Sequence, residues 1–150
     1  MRKTLAISAA LGVAALGVLV PTTSAQASTA CDTSWNSAPP GSFYAYDFTD
    51  CSGLLGRTAE SSDANWGDSS GPFQGNADNA ASSILHKGTS GMAVKVYQYP
   101  GYLGGHACLK KSESYKEDLS RHTFSNGAGM DNDISSHRWV WESACGTFLD

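Results

Sequence analysis

The pattern [Asn/Asp]-[Asn/Asp]-x-x-[Ser/Thr]-Ser occurs twice in this chain, at Asp78-Asn79-Ala80-Ala81-Ser82-Ser83 and at Asp131-Asn132-Asp133-Ile134-Ser135-Ser136. Each copy gathers carboxylate, amide, hydroxyl and main-chain carbonyl oxygens within a few residues. Oxygens of those kinds can surround a hard cation of flexible geometry. The same residues also form Asx- and Ser-turns by bonding their own backbone. A second chemistry would need a nucleophile or an acid–base pair held by a partner. Four histidines are present, His86, His106, His122 and His137, with Glu113, Glu117 and Glu142 as companions. None has the HExxH spacing, and no serine stands in GxSxG. The expectation is therefore a protein that is not an enzyme. His86 and His137 follow the two Ser-Ser pairs closely and are expected to face solvent on strands. Trp139 and Trp141 alternate with Val140 and read as core and edge packing. Lys110 to Asp118 alternates charges with little apolar content and reads as a solvated loop.

Those loops need elements to hold them, and the elements repeat as well. Phe43-Tyr44-Ala45-Tyr46-Asp47-Phe48-Thr49-Asp50-Cys51-Ser52-Gly53 aligns with Val94-Lys95-Val96-Tyr97-Gln98-Tyr99-Pro100-Gly101-Tyr102-Leu103-Gly104. In both, alternating residues lead into a Tyr (Tyr46, Tyr97), which period-two patterning assigns to a half-buried strand. Cys51 or Tyr102 follows five positions later, and Gly53 or Gly104 two beyond that. A glycine there suits a folded-over hairpin whose backbone other residues resist. The spacing from tyrosine to the oxygen-rich loop is also kept, at 32 residues from Tyr46 to Asp78 and 34 from Tyr97 to Asp131. The stretch from Leu54 to Gly75 is long and polar, so that connection is expected to be irregular.

In these residues the chain resembles the βγ-crystallins, in particular their secreted bacterial members, which include small actinobacterial-type peptidase inhibitors. The resemblance implies an all-β fold, with two Greek-key motifs forming a single sandwich. The domain would span 43–150, with the first Greek key at about 43–88 and the second at about 91–141. Residues 28–42 would be an N-terminal extension. Tyr46, Gly53, Tyr97, Tyr102 and Gly104 would build the structural hairpins. Cys51 stands where the family has an aromatic, and a disulfide there would take over that wedge. The resemblance also implies calcium as cofactor, each ion drawing on both loops. Side-chain ligands would come from Asp78, Asn79, Ser82, Asp131, Asn132 and Ser135, and carbonyls from Ala80 and Asp133. Affinity would fall near the 10⁻⁴–10⁻³ M range of extracellular modules, or somewhat tighter. The implied activity is inhibition of an extracellular peptidase, a metallopeptidase first. The alternatives are a calcium-stabilised structural or stress protein and a killer-toxin-like antimicrobial.

Composition agrees with short strands and many turns. Of 150 residues, 16 are Gly and only 16% are charged, while 15 aromatics are too many for a disordered chain. Arg2 and Lys3, an apolar run from Leu5 to Val20 and Ala25-Gln26-Ala27 read as a secretory signal over 1–27, cut after Ala27 or Ala30. Removing Arg2 and Lys3 with it leaves eight basic against 14 acidic residues. No basic block remains beyond Lys110-Lys111, so neither nucleic acid nor an anionic membrane is expected as partner. A secreted monomer is the expectation. For an exported chain the four cysteines read as disulfides with three possible pairings. Cys31–Cys51 and Cys108–Cys145 are expected, because each stays within one repeat and its terminal extension.

Overall fold

The computed structural model describes residues 28–150; the signal expected at 1–27 lies outside the described residues. Seven strands follow in order: β1 Phe43–Phe48, β2 Ser52–Thr58, β3 Ser83–His86, β4 Ala93–Tyr99, β5 Leu103–Leu109, β6 Tyr115–Lys116 and β7 Ser136–Val140. They form two antiparallel sheets, ordered β2-β1-β3-β6 and β5-β4-β7. The repeats seen in the sequence become the sheets, β1–β3 in one and β4, β5 and β7 in the other. Each repeat also lends a segment to its sister. β6, from the second repeat, pairs with β3. Asp63, from the first, bridges His137 of β7 through reciprocal main-chain bonds of 2.9 Å. Lys110–Asp118 is thus not the solvated loop expected, since it carries β6. Two residues of strand are too short to show a period, so the charges around them dominate the pattern.

Alternation decides what lies between the sheets. Phe43, Ala45 and Ile84 point inward from the first sheet, against Val94, Val96, Ala107, Leu109 and Trp139 of the second. Of the stretch Leu54 to Gly75 expected to be irregular, Leu54–Thr58 belongs to β2; the rest, 59–75, is irregular yet inserts Trp66 and Phe73 fully into this core. Their rings stack at 4.2 Å. Two histidines also depart from expectation. His86 and His137 are buried, at 1% and 0% exposure. His137 shares its strand face with Trp139, two residues on, and so must turn inward. Its Nδ1 accepts from the indole N–H of Trp66 at 2.9 Å and its Nε2 lies 3.1 Å from the Ser61 carbonyl. Because an indole can only donate, the proton sits on Nε2. Burial holds this ring neutral and drives its pKa down to about 3. Trp139 joins the core, whereas Trp141 is largely exposed rather than packed at an edge.

The N-terminal extension is a short helix, α1 (Thr29–Ser37), capped by the Ser28 hydroxyl, which accepts from the Cys31 N–H. It lies on the outer face of the first sheet, where Cys31 and Trp35 pack with Tyr44, Tyr46, Leu85 and Tyr115. Lys87 places its ammonium 4.1 Å over the Trp35 ring and donates to the Trp35 carbonyl. The Tyr115 hydroxyl donates to Asp32 at 2.7 Å. Disulfides join Cys31 to Cys51 and Cys108 to Cys145, the pairings expected, with Cα separations of 5.0 and 5.8 Å. Bridges of this kind persist in an oxidising compartment.

Candidate functional site

Both hairpins depend on unusual backbone conformations at matching positions. Cys51 and Tyr102 have φ of 55° and 63°, and Gly53 and Gly104 have 70° and 76°. At the glycines a Cβ would come within 2.8 Å of the Phe48 ring and 2.6 Å of the Tyr99 ring, so the hairpin folds over only on glycine. The last serine of each motif clasps its hairpin. Ser83 Oγ donates to the Phe48 carbonyl at 2.7 Å and accepts from the Cys51 N–H at 3.0 Å. Ser136 Oγ does the same with the Tyr99 carbonyl and the Tyr102 N–H, at 2.7 and 3.2 Å. These serines are structural, which explains the final position of the motif without any ligand.

The remaining motif residues converge. Asn79 and Asn132, with φ of 53° and 54°, take the left-handed conformation that asparagine tolerates best among side-chain-bearing residues. Each turns its N–H across to the other loop, Asn79 to the Ile134 carbonyl and Asn132 to the Ala81 carbonyl, both at 3.0 Å. The loops therefore lie side by side, linked in a nearly two-fold way. Side chains cross the same gap. Ser135 Oγ donates to Asn79 Oδ1 at 3.1 Å, and Ser82 Oγ to Asn132 Oδ1 at 3.4 Å. Within each loop the asparagine amide donates to the preceding carboxylate, Asp78 Oδ2 at 3.2 Å and Asp131 Oδ2 at 3.3 Å. The other oxygen of each carboxylate, Asp78 Oδ1 and Asp131 Oδ1, is buried with no hydrogen-bond partner. A buried carboxylate oxygen left unpaired is costly, on the order of 1–3 kcal/mol or more. Two of them in equivalent places, beside a ring of amide and hydroxyl oxygens, fit a hard cation.

The two loops are not identical. Asp133 has Ala80 as its counterpart, and its Oδ2 accepts from Gln98 Nε2 at 2.8 Å, with Asn126 in turn donating to Gln98. The carbonyls of Ala80 and Asp133 accept no hydrogen bond among the described residues. No three His, Cys, Asp or Glu side chains converge on one point among the described residues. The donors here are instead mixed carboxylate, amide and hydroxyl. Of the side-chain oxygens expected in the site, those of Asp78, Asn79, Ser82, Asp131, Asn132 and Ser135 are brought together. Neither His106 nor His122 lies in these loops; burial lowers the pKa of each.

The sequence matches no protein-family profile and no curated protein. Solved structures do match. A chain from work on the evolution of the eye lens βγ-crystallin domain fold is 15% identical, with a TM-score of 0.51 over 69% of this chain and 89% of its own. A βγ-crystallin from an archaeon is 20% identical over 68% of this chain and all of its own, with a TM-score of 0.48. One from Ciona intestinalis is 16% identical over 67% of this chain and all of its own, with a TM-score of 0.46. With the sheet order described above, the first of these likenesses shows the fold. The chain is an all-β protein with two Greek-key motifs in a βγ-crystallin sandwich.

Proposed function

We propose that the paired loops bind calcium, one ion beside Asp78 and Asn79 and one beside Asp131 and Asn132, in a disulfide-braced module that works outside the cell. The observation that carries this reading is the pair of buried, unpartnered oxygens, Asp78 Oδ1 and Asp131 Oδ1, in equivalent positions. Turns alone would not need them, because an Asx-turn uses the carboxylate oxygen that such a residue exposes to its own backbone. Each ion would also draw on the hydroxyl that reaches in from the opposite loop, Ser135 for the first and Ser82 for the second. Ala80 and Asp133 would add their carbonyls. Magnesium would substitute poorly, since it demands a tight octahedron and sheds water reluctantly.

Calorimetric titration of the disulfide-intact chain tests this. Calcium should release or take up heat and raise the thermal midpoint by several degrees, for about 1–3 kcal/mol at millimolar ion. Asp78→Ala and Ser135→Ala should weaken the first ion although they lie in different loops. Ser37→Ala, outside the motifs, should leave the titration unchanged. A wild-type protein with neither calcium heat nor thermal shift would reduce both motifs to turns.

The activity we infer for this module is inhibition of an extracellular peptidase. Supporting it, both hairpin tips carry large apolar side chains that are more than half exposed, Phe48 and Leu54 on one and Tyr99 and Leu103 on the other. The tips are held by the Ser83 and Ser136 clasps, and a rigid loop loses little entropy on binding. A panel of metallo-, serine and cysteine peptidases at micromolar protein should show stoichiometric inhibition that disulfide reduction abolishes. If none is slowed, the calcium-stabilised structural role replaces this one.

A further inference from the structure

We propose that Lys95 and the exposed Arg138, on the outer face of the second sheet over the buried Tyr97, dock an acidic polypeptide segment of a partner protein. Lys95 of β4 and Arg138 of β7 stand directly opposite each other in the antiparallel register. Like charges so placed destabilise a sheet. Ordinarily a carboxylate would be set between them, and this chain has 14 acidic residues against ten basic ones to draw on. Yet the ion pairs among the described residues are Lys110–Asp150, Lys116–Glu113 and those of Arg121 with Glu117 and Asp118. Neither Lys95 nor Arg138 has one.

Both cations are instead held in place by neutral groups. Arg138 donates from Nε to the Tyr97 hydroxyl at 2.9 Å, and its guanidinium lies 4.7 Å from the Tyr102 ring and 5.4 Å from the Tyr97 ring. That leaves the two terminal nitrogens of the fork free to meet a carboxylate edge-on. Lys95 donates to the Ala144 carbonyl at 2.8 Å and keeps two further N–H groups. His106, opposite Tyr97 on β5, lies beside the two cations with its ring 6.1 Å from that of the tyrosine. Arg138 is exposed.

The sister sheet shows what such a face accepts. There the residues in the same register are Tyr44 and Leu85, in place of Lys95 and Arg138. They are covered by α1, a nine-residue stretch of polypeptide that packs Cys31 and Trp35 on them. The C-terminal segment covers the second sheet immediately beside Lys95, with Cys145 and Phe148 against Ala93 and Cys108, the latter the register partner of Lys95. So a short polypeptide fits this architecture, and exchanging an apolar floor for two unpaired cations selects an acidic one. Lys95 and Arg138 are not among the side chains assigned above to calcium or to the hairpin tips, although Tyr102, on which Arg138 rests, belongs to the second hairpin; the proposal does not depend on the function proposed above.

The test uses an acetylated hexaglutamate peptide titrated into the disulfide-intact chain at about 0.15 M ionic strength, where exposed charges more than about 8 Å apart are largely screened. Saturable binding is expected, weakened about tenfold or more by Lys95→Gln and by Arg138→Gln, since each removes a charge-assisted bond. Lys111→Gln removes the same charge elsewhere and should stay within about twofold of wild type, as screening of a distant surface charge requires. Lys95→Arg keeps the charge at this position and should bind within about twofold of wild type, so a loss confined to Lys95→Gln, with thermal midpoints recorded for both, is a loss of charge and not unfolding. Absence of saturable binding overturns the proposal, as does an equal loss in Lys111→Gln. Displacement of the peptide by inorganic phosphate at equal concentration also overturns it, making the site one for small anions.

Discussion

At the scale of single residues, His137 ties the stability of the fold to pH. Folded, it stays neutral down to about pH 3, while the unfolded chain takes up its proton near pH 6.5. Stability contributed by the neutral ring is complete above pH 6.5 and declines as the pH falls from there towards 3, by about 1.4 kcal/mol per pH unit. His86 acts in the same direction, because burial lowers its pKa too. Thermal midpoints should therefore drop steadily between pH 6.5 and 4.5. His137→Gln keeps a donor and an acceptor near Trp66 and Ser61 but does not titrate. Its profile should be flatter over this interval even where its absolute stability is lower. A parallel profile would assign the acid slope to the carboxylates instead.

At the scale of elements, each motif contains two adjacent serines with different duties. Ser83 clasps a hairpin, and Ser83→Ala leaves the buried Cys51 N–H unpaired, a loss of about 1–3 kcal/mol. It should leave calcium heats unchanged. Ser82→Ala should do the reverse, weakening the ion at Asn132 with little effect on the calcium-free midpoint. Denaturation and titration of the two variants side by side check the division. The repeat itself was legible in sequence because Tyr46 and Tyr97, Gly53 and Gly104, and the two Ser-Ser loops keep their spacing. Long-range insertions were not. Trp66 and Phe73 sit in a polar connection without any period, and only their isolation as aromatics among Ser, Asp and Gly marked them. His137 was misread by its type, although its alternation with Trp139 already placed it inward. What the two aspartates face was also hidden, since an unpaired oxygen is a property of the folded pair of loops and not of either motif.

At the scale of the molecule, the repeats are not separable halves. β6 completes the first sheet from the second repeat, and Asp63 of the first repeat pairs with β7. A fragment of residues 28–90 would lack β6 and the inner surface of Val94, Val96 and Trp139, leaving Phe43 and Ile84 in water. It should stay unfolded by circular dichroism, and the whole chain should melt in one transition seen alike by tryptophan fluorescence and far-ultraviolet signal. The disulfides add a consequence of another kind when the chain is stretched from its ends. Tension entering at Cys31 passes straight to Cys51, and from Cys108 straight to Cys145. Only the stretch from Cys51 to Cys108 can then be drawn out, a contour of about 200 Å, where the reduced chain would yield about 400 Å between Cys31 and Cys145. The loop at Asp78 lies on the extensible stretch, and the loop at Asp131 lies inside a closed ring that force never reaches. A pull on the oxidised protein would thus take the paired loops apart by opening one and leaving the other covalently gathered, ready to re-form the pair when tension is released.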